Sequence, residues 1–284
     1  MNFSYPQRFR SYLKGLDSAP MQTENKTIGW YSVVLGADGE PLGGGTAEST
    51  DLSKRIAIAE SLEKLEVLYG LSDEERKLLR CEEFPTRCGL AAGFEEHQTN
   101  QRAIAEGIER WAWSKWIDDG YQMPEIPKPK LTSLAEYCFP QFDEVKFFER
   151  EITHSISNFP KSIRFCAAVG FKDGGAFPGS RLCGLNEDPW AHALVESMRN
   201  VMIYQARENR KRVYPFLMER LSFFATHASE GYAATQGKNA NNWPIPELDF
   251  FVTLERKQDG YLLARSLCKH FIPWHMGTKE RFVF

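Results

Sequence analysis

Two glutamate pairs in matching frames are the residues of this sequence best placed to do chemistry. Ala57-Ile58-Ala59-Glu60-Ser61-Leu62-Glu63-Lys64 and Ala103-Ile104-Ala105-Glu106-Gly107-Ile108-Glu109-Arg110 repeat one pattern. Ala193-Leu194-Val195-Glu196-Ser197-Met198-Arg199-Asn200 is a weaker third copy. All three read as helix, with small and aliphatic residues beside charged ones and no proline. Positions three and four apart share a helix face. Glu60, Glu63 and Lys64 therefore form one polar cluster, and Glu106, Glu109 and Arg110 another. Ile58, Leu62, Leu65, Ile104 and Ile108 are left to face a core.

Like charges three residues apart cost a helix about 0.2–0.5 kcal/mol unless something compensates. The adjoining cation compensates in part. A divalent metal does so better, because a hard cation such as Mg²⁺ takes oxygen ligands and bridges carboxylates to phosphates. The competing reading is a solvated helix face, the usual meaning of such a charge pattern. Repetition in one frame, with alanines that permit close helix approach, speaks for the metal. Both readings stand at this point.

The elements that must position these helices follow along the chain. Ile28 to Leu35 reads as a strand and Gly36-Ala37-Asp38-Gly39 as a turn. Gly43-Gly44-Gly45 precedes the first glutamate helix. Such a run can cradle phosphate on backbone N–H groups or end a hairpin. Neither a P-loop nor a G-x-G-x-x-G fingerprint is present. A charged helix is expected near Ser72 to Leu79. Cys88-Gly89-Leu90-Ala91-Ala92-Gly93 is small enough for close backbone approach. The second glutamate helix starts near Thr99 and runs into Trp111, Trp113 and Trp116, which read as core. Gly120 to Ser133 is proline-rich and reads as a surface connection.

The second half echoes the first. Glu144 to Glu149 and Ser162 to Val169 read as strands, and Lys172 to Gly175 as a turn. Phe177 to Arg181 leads to the third repeat helix, begun by Asp188-Pro189. Arg207 to Arg212 reads as a solvated helix end and Thr226 to Trp243 as loop. Leu248 to Leu254 and Tyr261 to Lys269 form a closing hairpin through Gln258-Asp259-Gly260. Helices and strands alternate without a regular βαβ period. The expected fold is α+β, a single domain over 1–284 with mixed sheets and packed glutamate-bearing helices.

Composition narrows the function classes. A chain of 284 residues with net charge −3 gives no electrostatic case for nucleic acid or an anionic membrane. No apolar run approaches the ~18 residues of a membrane span. Residues 1–16 hold no apolar h-region, so a cytoplasmic protein is expected. Six scattered cysteines form no C-x-x-C pair and read as small buried hydrophobes.

Taken in order, Gly43 to Leu65, Gly89 to Trp116, Gly179 to Arg199 and Tyr261 to Gly277 resemble the YcaO family. The Gly-Ala segment before a Glu-x-x-Glu-Arg helix is matched by Gly89 to Gly93 and Glu106 to Arg110. The earlier glutamate helix is matched by Glu60 to Lys64, the later Ala-Leu-x-Glu helix by Ala193 to Glu196, and the terminal strand by Leu263 to Pro273 and Gly277. The resemblance covers nearly the whole chain and rests on order and spacing.

It implies Mg-ATP bound without a P-loop. Glu60, Glu63, Glu106 and Glu109 would hold Mg²⁺ on the phosphates, with Lys64, Arg110, Glu196 and Arg199 on the nucleotide side. No catalytic residue is assigned. The implied reaction phosphorylates a backbone amide oxygen of a ribosomally made peptide, giving an azoline after attack by a Cys, Ser or Thr side chain, or a thioamide after attack by sulfide. A homodimer is compatible with the resemblance. Four positions depart from the family pattern: Ile56 and Arg102 stand where serine is frequent, Trp111 where Asp is, and Arg199 where Gln is. The length leaves no room for a fused substrate-recruiting domain, so a separate peptide-recruiting partner is expected. The alternative is a degenerate, non-catalytic subunit that recruits or scaffolds a modification complex.

Overall fold

A computed structural model describes residues 5–24, 26–206, 215–237, 239 and 242–282. The arginine-rich stretch 207–212 lies outside the described residues. The architecture is α+β, as expected, but the strand pairs described within its sheets are antiparallel where mixed sheets were expected. Contacts gather in two compact units, Met1–Ile104 with Phe250–Ser266, and Ala105–Asp249 with Leu267–Phe284.

In the first unit, β1 (Leu13–Gln22), β2 (Thr27–Gly36) and β3 (Pro41–Ala47) form an antiparallel sheet in that order. Helix α1 (Thr50–Leu65) lies on β2 and β3. It starts at Ser49, whose hydroxyl accepts the Leu52 N–H. Its Ala57, Ile58, Leu62 and Leu65 join Val34 and Leu42 in the core. The glycine run belongs to β3 and is neither a hairpin end nor an open cradle. A Cβ on Gly43 would fall 2.4 Å from the Ala57 carbonyl, and one on Gly45 2.1 Å from that of Ser53. Glycine lets the helix ride directly on the strand.

A π-helical turn, Glu66–Gly70, continues α1 and turns Glu66 fully inward. Helix α2 (Asp73–Leu78) begins with a reciprocal Ser72–Glu75 capping box. The short strand β4 (Leu90–Gly93) follows Gly89, which has φ +68°. A Cβ there would meet the Ser266 carbonyl at 1.7 Å, so the small-residue segment is a close approach. Helix α3 (Glu96–Trp113) then carries the second glutamate pair and ends in another π-helical turn, Ser114–Asp118.

In the second unit, β5 (Glu125–Ile126), β6 (Glu144–Thr153), β7 (Ser162–Lys172) and β8 (Gly175–Gly184) form an antiparallel sheet in chain order. Strand β8 was legible only as a lead-in, because Phe177-Pro178-Gly179-Ser180 looks like a turn. It is an edge strand, where proline is tolerated. Helix α4 (Ser133–Cys138) lies between β5 and β6, and α5 (Trp190–Gln205) follows β8 and packs on β8 and β7. Helices α6 (Pro215–Phe224) and α7 (Ala228–Thr235) come next, the latter inside the stretch expected as loop. The Thr235 carbonyl accepts the buried Trp116 indole N–H, which ties α7 into the core. Trp113 and Trp116 stack on each other and pack against Phe165.

The closing hairpin, β9 (Leu248–Arg256) and β10 (Tyr261–Cys268), joins β4 in a sheet ordered β4-β10-β9. Arg265 is fully buried on β10. Its guanidinium donates to the carbonyls of Leu79, Phe84, Thr86 and Cys88 and to the Cys81 sulfur.

Candidate functional site

Four of the repeat-helix glutamates, Glu60, Glu63, Glu109 and Glu196, stand against sheet edges. In the first unit, Glu60 Oε2 accepts the Gly44 N–H at 3.1 Å and Glu63 Oε1 accepts the Ala92 N–H at 3.0 Å. Both amides lie on edge strands, β3 and β4, whose outward N–H groups need a partner other than a strand. Glu63 is buried, and two guanidiniums reach it. Arg102 Nη2 lies 3.3 Å from Oε1, while its Nη1 donates to the Ala92 carbonyl at 2.9 Å. Arg87 Nη1 lies 3.8 Å from Glu63 Oε2. Lys64 Nζ donates to the Pro41 carbonyl at 2.9 Å.

The second unit repeats the device on β8. Glu109 Oε2 accepts the Leu182 N–H at 3.0 Å, and its Oε1 accepts the Ser180 hydroxyl at 2.6 Å. That hydroxyl in turn accepts the Trp113 indole N–H at 2.8 Å. Glu196 Oε2, on α5, accepts the Ser180 backbone N–H at 2.6 Å. Burial, then the charge of Glu109, raises the Glu196 carboxyl to about 7 against the opposing pull of Arg110, the Ser180 N–H and Arg199. Arg110 lies 3.5 Å from Glu106 and 3.9 Å from Glu109. Its guanidinium carbon sits 3.8 Å from the centre of the Trp274 ring, a cation–π contact.

The solvated-face reading fails for Glu63 and Glu109, which are buried and engaged. Among the described residues, no three His, Cys, Asp or Glu side chains stand together as a ready-made metal cluster. Within the second unit, Glu106, Glu109, Arg110, Glu196 and Arg199 do come together. Glu60, Glu63 and Lys64 share one end of α1 in the first.

Sequence reading missed the partners. Ser180 and Trp113 carried no signal, being one more serine and one more core tryptophan. Arg102 was visible as a departure from the family pattern but not as the partner of Glu63. Glu66 was missed too. It is completely buried and bonded to Arg8, Arg256 and Tyr261. The described cysteines are all buried and free, as expected.

No family model matches the sequence, and no curated protein matches it either. Solved structures do. A YcaO from Methanopyrus kandleri, bound with AMPPCP and Mg²⁺, aligns with a TM-score of 0.57 at 13% identity, over 90% of this chain and 85% of that one. A heterocyclase in complex with substrate and cofactor aligns with a TM-score of 0.55 at 10% identity, over 92% of this chain and 50% of that one. The class defined by helix-on-sheet units and their edge-bound glutamates is an α+β fold. The particular fold is that of YcaO proteins. Among the described residues no helix is long and apolar enough to cross a membrane.

Proposed function

We propose that the chain binds Mg-ATP and uses it to activate a backbone amide of a ribosomally made peptide, giving an azoline or a thioamide. One observation carries this reading: in the second unit Glu109 and Glu196 converge on one residue, Ser180, whose hydroxyl donates to Glu109 and whose backbone N–H donates to Glu196, each at 2.6 Å. Two carboxylates brought so close offer hard oxygen donors to a divalent cation, which would relieve their repulsion. The shared fold with a YcaO bound to AMPPCP and Mg²⁺ supports the same ligand.

The proposal takes residues 1–284 as one functional domain. Glu60, Glu63, Glu106 and Glu109 are the candidate metal-side carboxylates, of which Glu63 fits least well because arginines already stand on it. Lys64, Arg110, Glu196 and Arg199 are the candidate nucleotide-side residues. When bound, Mg²⁺ neutralises phosphate charge. The chain's own residues supply position. Ser180 and Leu182 fix both oxygens of Glu109, so its carboxylate cannot swing. Trp274 holds the plane of Arg110, whose fork suits phosphate oxygens. The enzyme's work is then alignment and charge neutralisation for attack by the amide oxygen. A separate protein recruits the peptide.

Arg102 on Glu63 favours a second reading, a non-catalytic subunit that scaffolds a peptide-modification complex. Thermal shift of wild type, Glu106→Gln and Glu109→Gln with and without Mg-ATP separates the two. Ligand at about 100 times its Kd stabilises the native state by roughly 2.7 kcal/mol. Wild type should shift and both variants should not. An unmoved wild type at millimolar Mg-ATP puts the scaffold reading first. Variants that shift like wild type remove these glutamates from the site.

A further inference from the structure

We propose that Cys166 and Cys183 are a redox-active pair of the second unit, which a peroxide closes into a disulfide between β7 and β8. The pair does not depend on the nucleotide reading above.

The register of the sheet brings the two thiols together. Cys183 on β8 stands directly opposite Arg164 on β7. Cys166 stands opposite Arg181 on one side and Glu149 of β6 on the other. Opposite residues, and residues two apart on a strand, share a sheet face. Cys166, Cys183, Arg164 and Glu149 therefore occupy one face, with the cysteines as diagonal neighbours. Their side chains hydrogen-bond each other, and Cys166 Sγ also lies 3.8 Å from Glu149 Oε2. Arg164 Nη1 donates to the same oxygen at 3.2 Å, while its buried Nε has no hydrogen-bond partner.

The two thiols differ in chemistry. The S–H of Cys166 donates to Cys183, and with the charges of Arg164 and Arg181 it holds Cys183 below the ordinary thiol range despite burial. The same bond, and burial, push Cys166 up. Cys183 is thus the nucleophile and Cys166 the resolving thiol. Burial pushes Cys81, Cys138 and Cys268 up, the last two to about 12. Solvent comes close to the pair. Cys183 is 6% exposed, and Arg164 opposite it lines a cavity of about 300 Å³ with Leu185, Glu187 and Trp190.

The Cys183 thiolate attacks one peroxide oxygen; the O–O bond breaks and hydroxide leaves, giving a sulfenic acid. Cys166 then attacks that sulfur. The S–S bond forms, the S–O bond breaks, and the oxygen departs as water with the Cys166 proton, which Glu149 is placed to pass on. The two thiols give up two electrons and two protons, and hydrogen peroxide becomes two waters. Diagonal neighbours sit about 7–8 Å apart at Cα, just beyond the roughly 4.4–6.8 Å of a relaxed disulfide. Closure therefore draws β8 towards β7, and among the described residues no strand lies on the far side of β8 to hold it back. A bond made under that constraint is readily reduced again, which suits a reversible switch.

The test adds hydrogen peroxide to the folded full chain, caps free thiols with N-ethylmaleimide and maps peptides by mass. The main product should join the peptides of Cys166 and Cys183 with two hydrogens lost, and dithiothreitol should restore both thiols. Both cysteines still free after treatment overturns the proposal, as does a mixture of pairings among the six. C166S should stop at a sulfenic acid on Cys183, trapped by dimedone. In C183S, oxidation of Cys166 should slow by about tenfold or more, since its thiolate is scarce; oxidation at the wild-type rate overturns the assignment. Circular dichroism checks both variants, and if either does not fold, the wild-type map decides.

Discussion

The β2-β3-α1 and β7-β8-α5 segments are two versions of one device. Gly43 and Gly179 stand in the same place, as do Gly44 and Ser180, Ala57 and Ala193, and Glu60 and Glu196. Each pair is separated by the same number of residues. In both, a glycine of the edge strand meets the helix backbone, and a Cβ would come within 2.4 Å or 2.1 Å of an alanine carbonyl. In both, the helix glutamate takes the N–H of the next strand residue. What is common is a joint that holds helix to edge and stops the edge from pairing with another chain. What differs is chemistry. Ser180 adds a hydroxyl that reaches Glu109, where Gly44 has nothing to add. Glu63 becomes Arg199, and the buried Glu66 becomes the exposed Met202. Shared residues build the joint; the divergent ones mark where the two units took separate work.

The largest effect should come from the joint. Gly43→Ala and Gly179→Ala should each cost about 3 kcal/mol or more, because the clash is with backbone that cannot yield. Gly44→Ala, whose Cβ would meet the Tyr31 hydroxyl at 3.4 Å, should stay within about 1 kcal/mol. Urea midpoints measure all three, and tolerance of either of the first two would break the comparison. Next comes the divergent position. Glu66→Gln should cost about 3 kcal/mol, because it strips the charge from a buried network with Arg8 and Arg256. Met202→Ala, at the matching place, should stay within about 0.5 kcal/mol.

The smallest effect is the pH dependence that Glu75 contributes in the first unit. Hydrogen bonding from Arg256 is the main cause holding the Glu75 carboxyl down, to about 2 from an ordinary 4.5. A depressed carboxyl stabilises the fold fully above its unfolded pKa, and the contribution fades as pH falls from about 4.5 towards about 2. Thermal melts of Glu75→Gln should show a flatter acid limb than wild type. A parallel limb would mean that the Arg256 contact adds nothing in solution.

Much of this arrangement was legible beforehand. The three helices follow from alanines and glutamates in one frame, and β2, β6, β7 and the closing hairpin from alternation and turn residues. The strands that carry the joint were not legible as such. Glycine and proline weigh against strand in isolation, yet Gly43, Pro178 and Gly179 are there because a helix must come close and the strand is an edge. The glutamates stood out, but their donors did not. An edge amide or a lone serine hydroxyl becomes a partner only through tertiary contact. Glu66 carried no signal in the sequence; its burial comes with the π-helical turn that follows α1.

Arg265 has a consequence for the timing of motion. The segment from Leu79 to Cys88 forms no helix or strand beyond the end of α2, yet a single guanidinium fastens its carbonyls from within. An irregular segment held from inside the core opens only when that core opens. Its amides should exchange with solvent on the slow scale of a core strand, and trypsin should find Arg80 and Arg87 poor targets in the native protein. A buried arginine can thus give a loop the kinetic character of secondary structure, which keeps Arg87 in place without a strand to carry it.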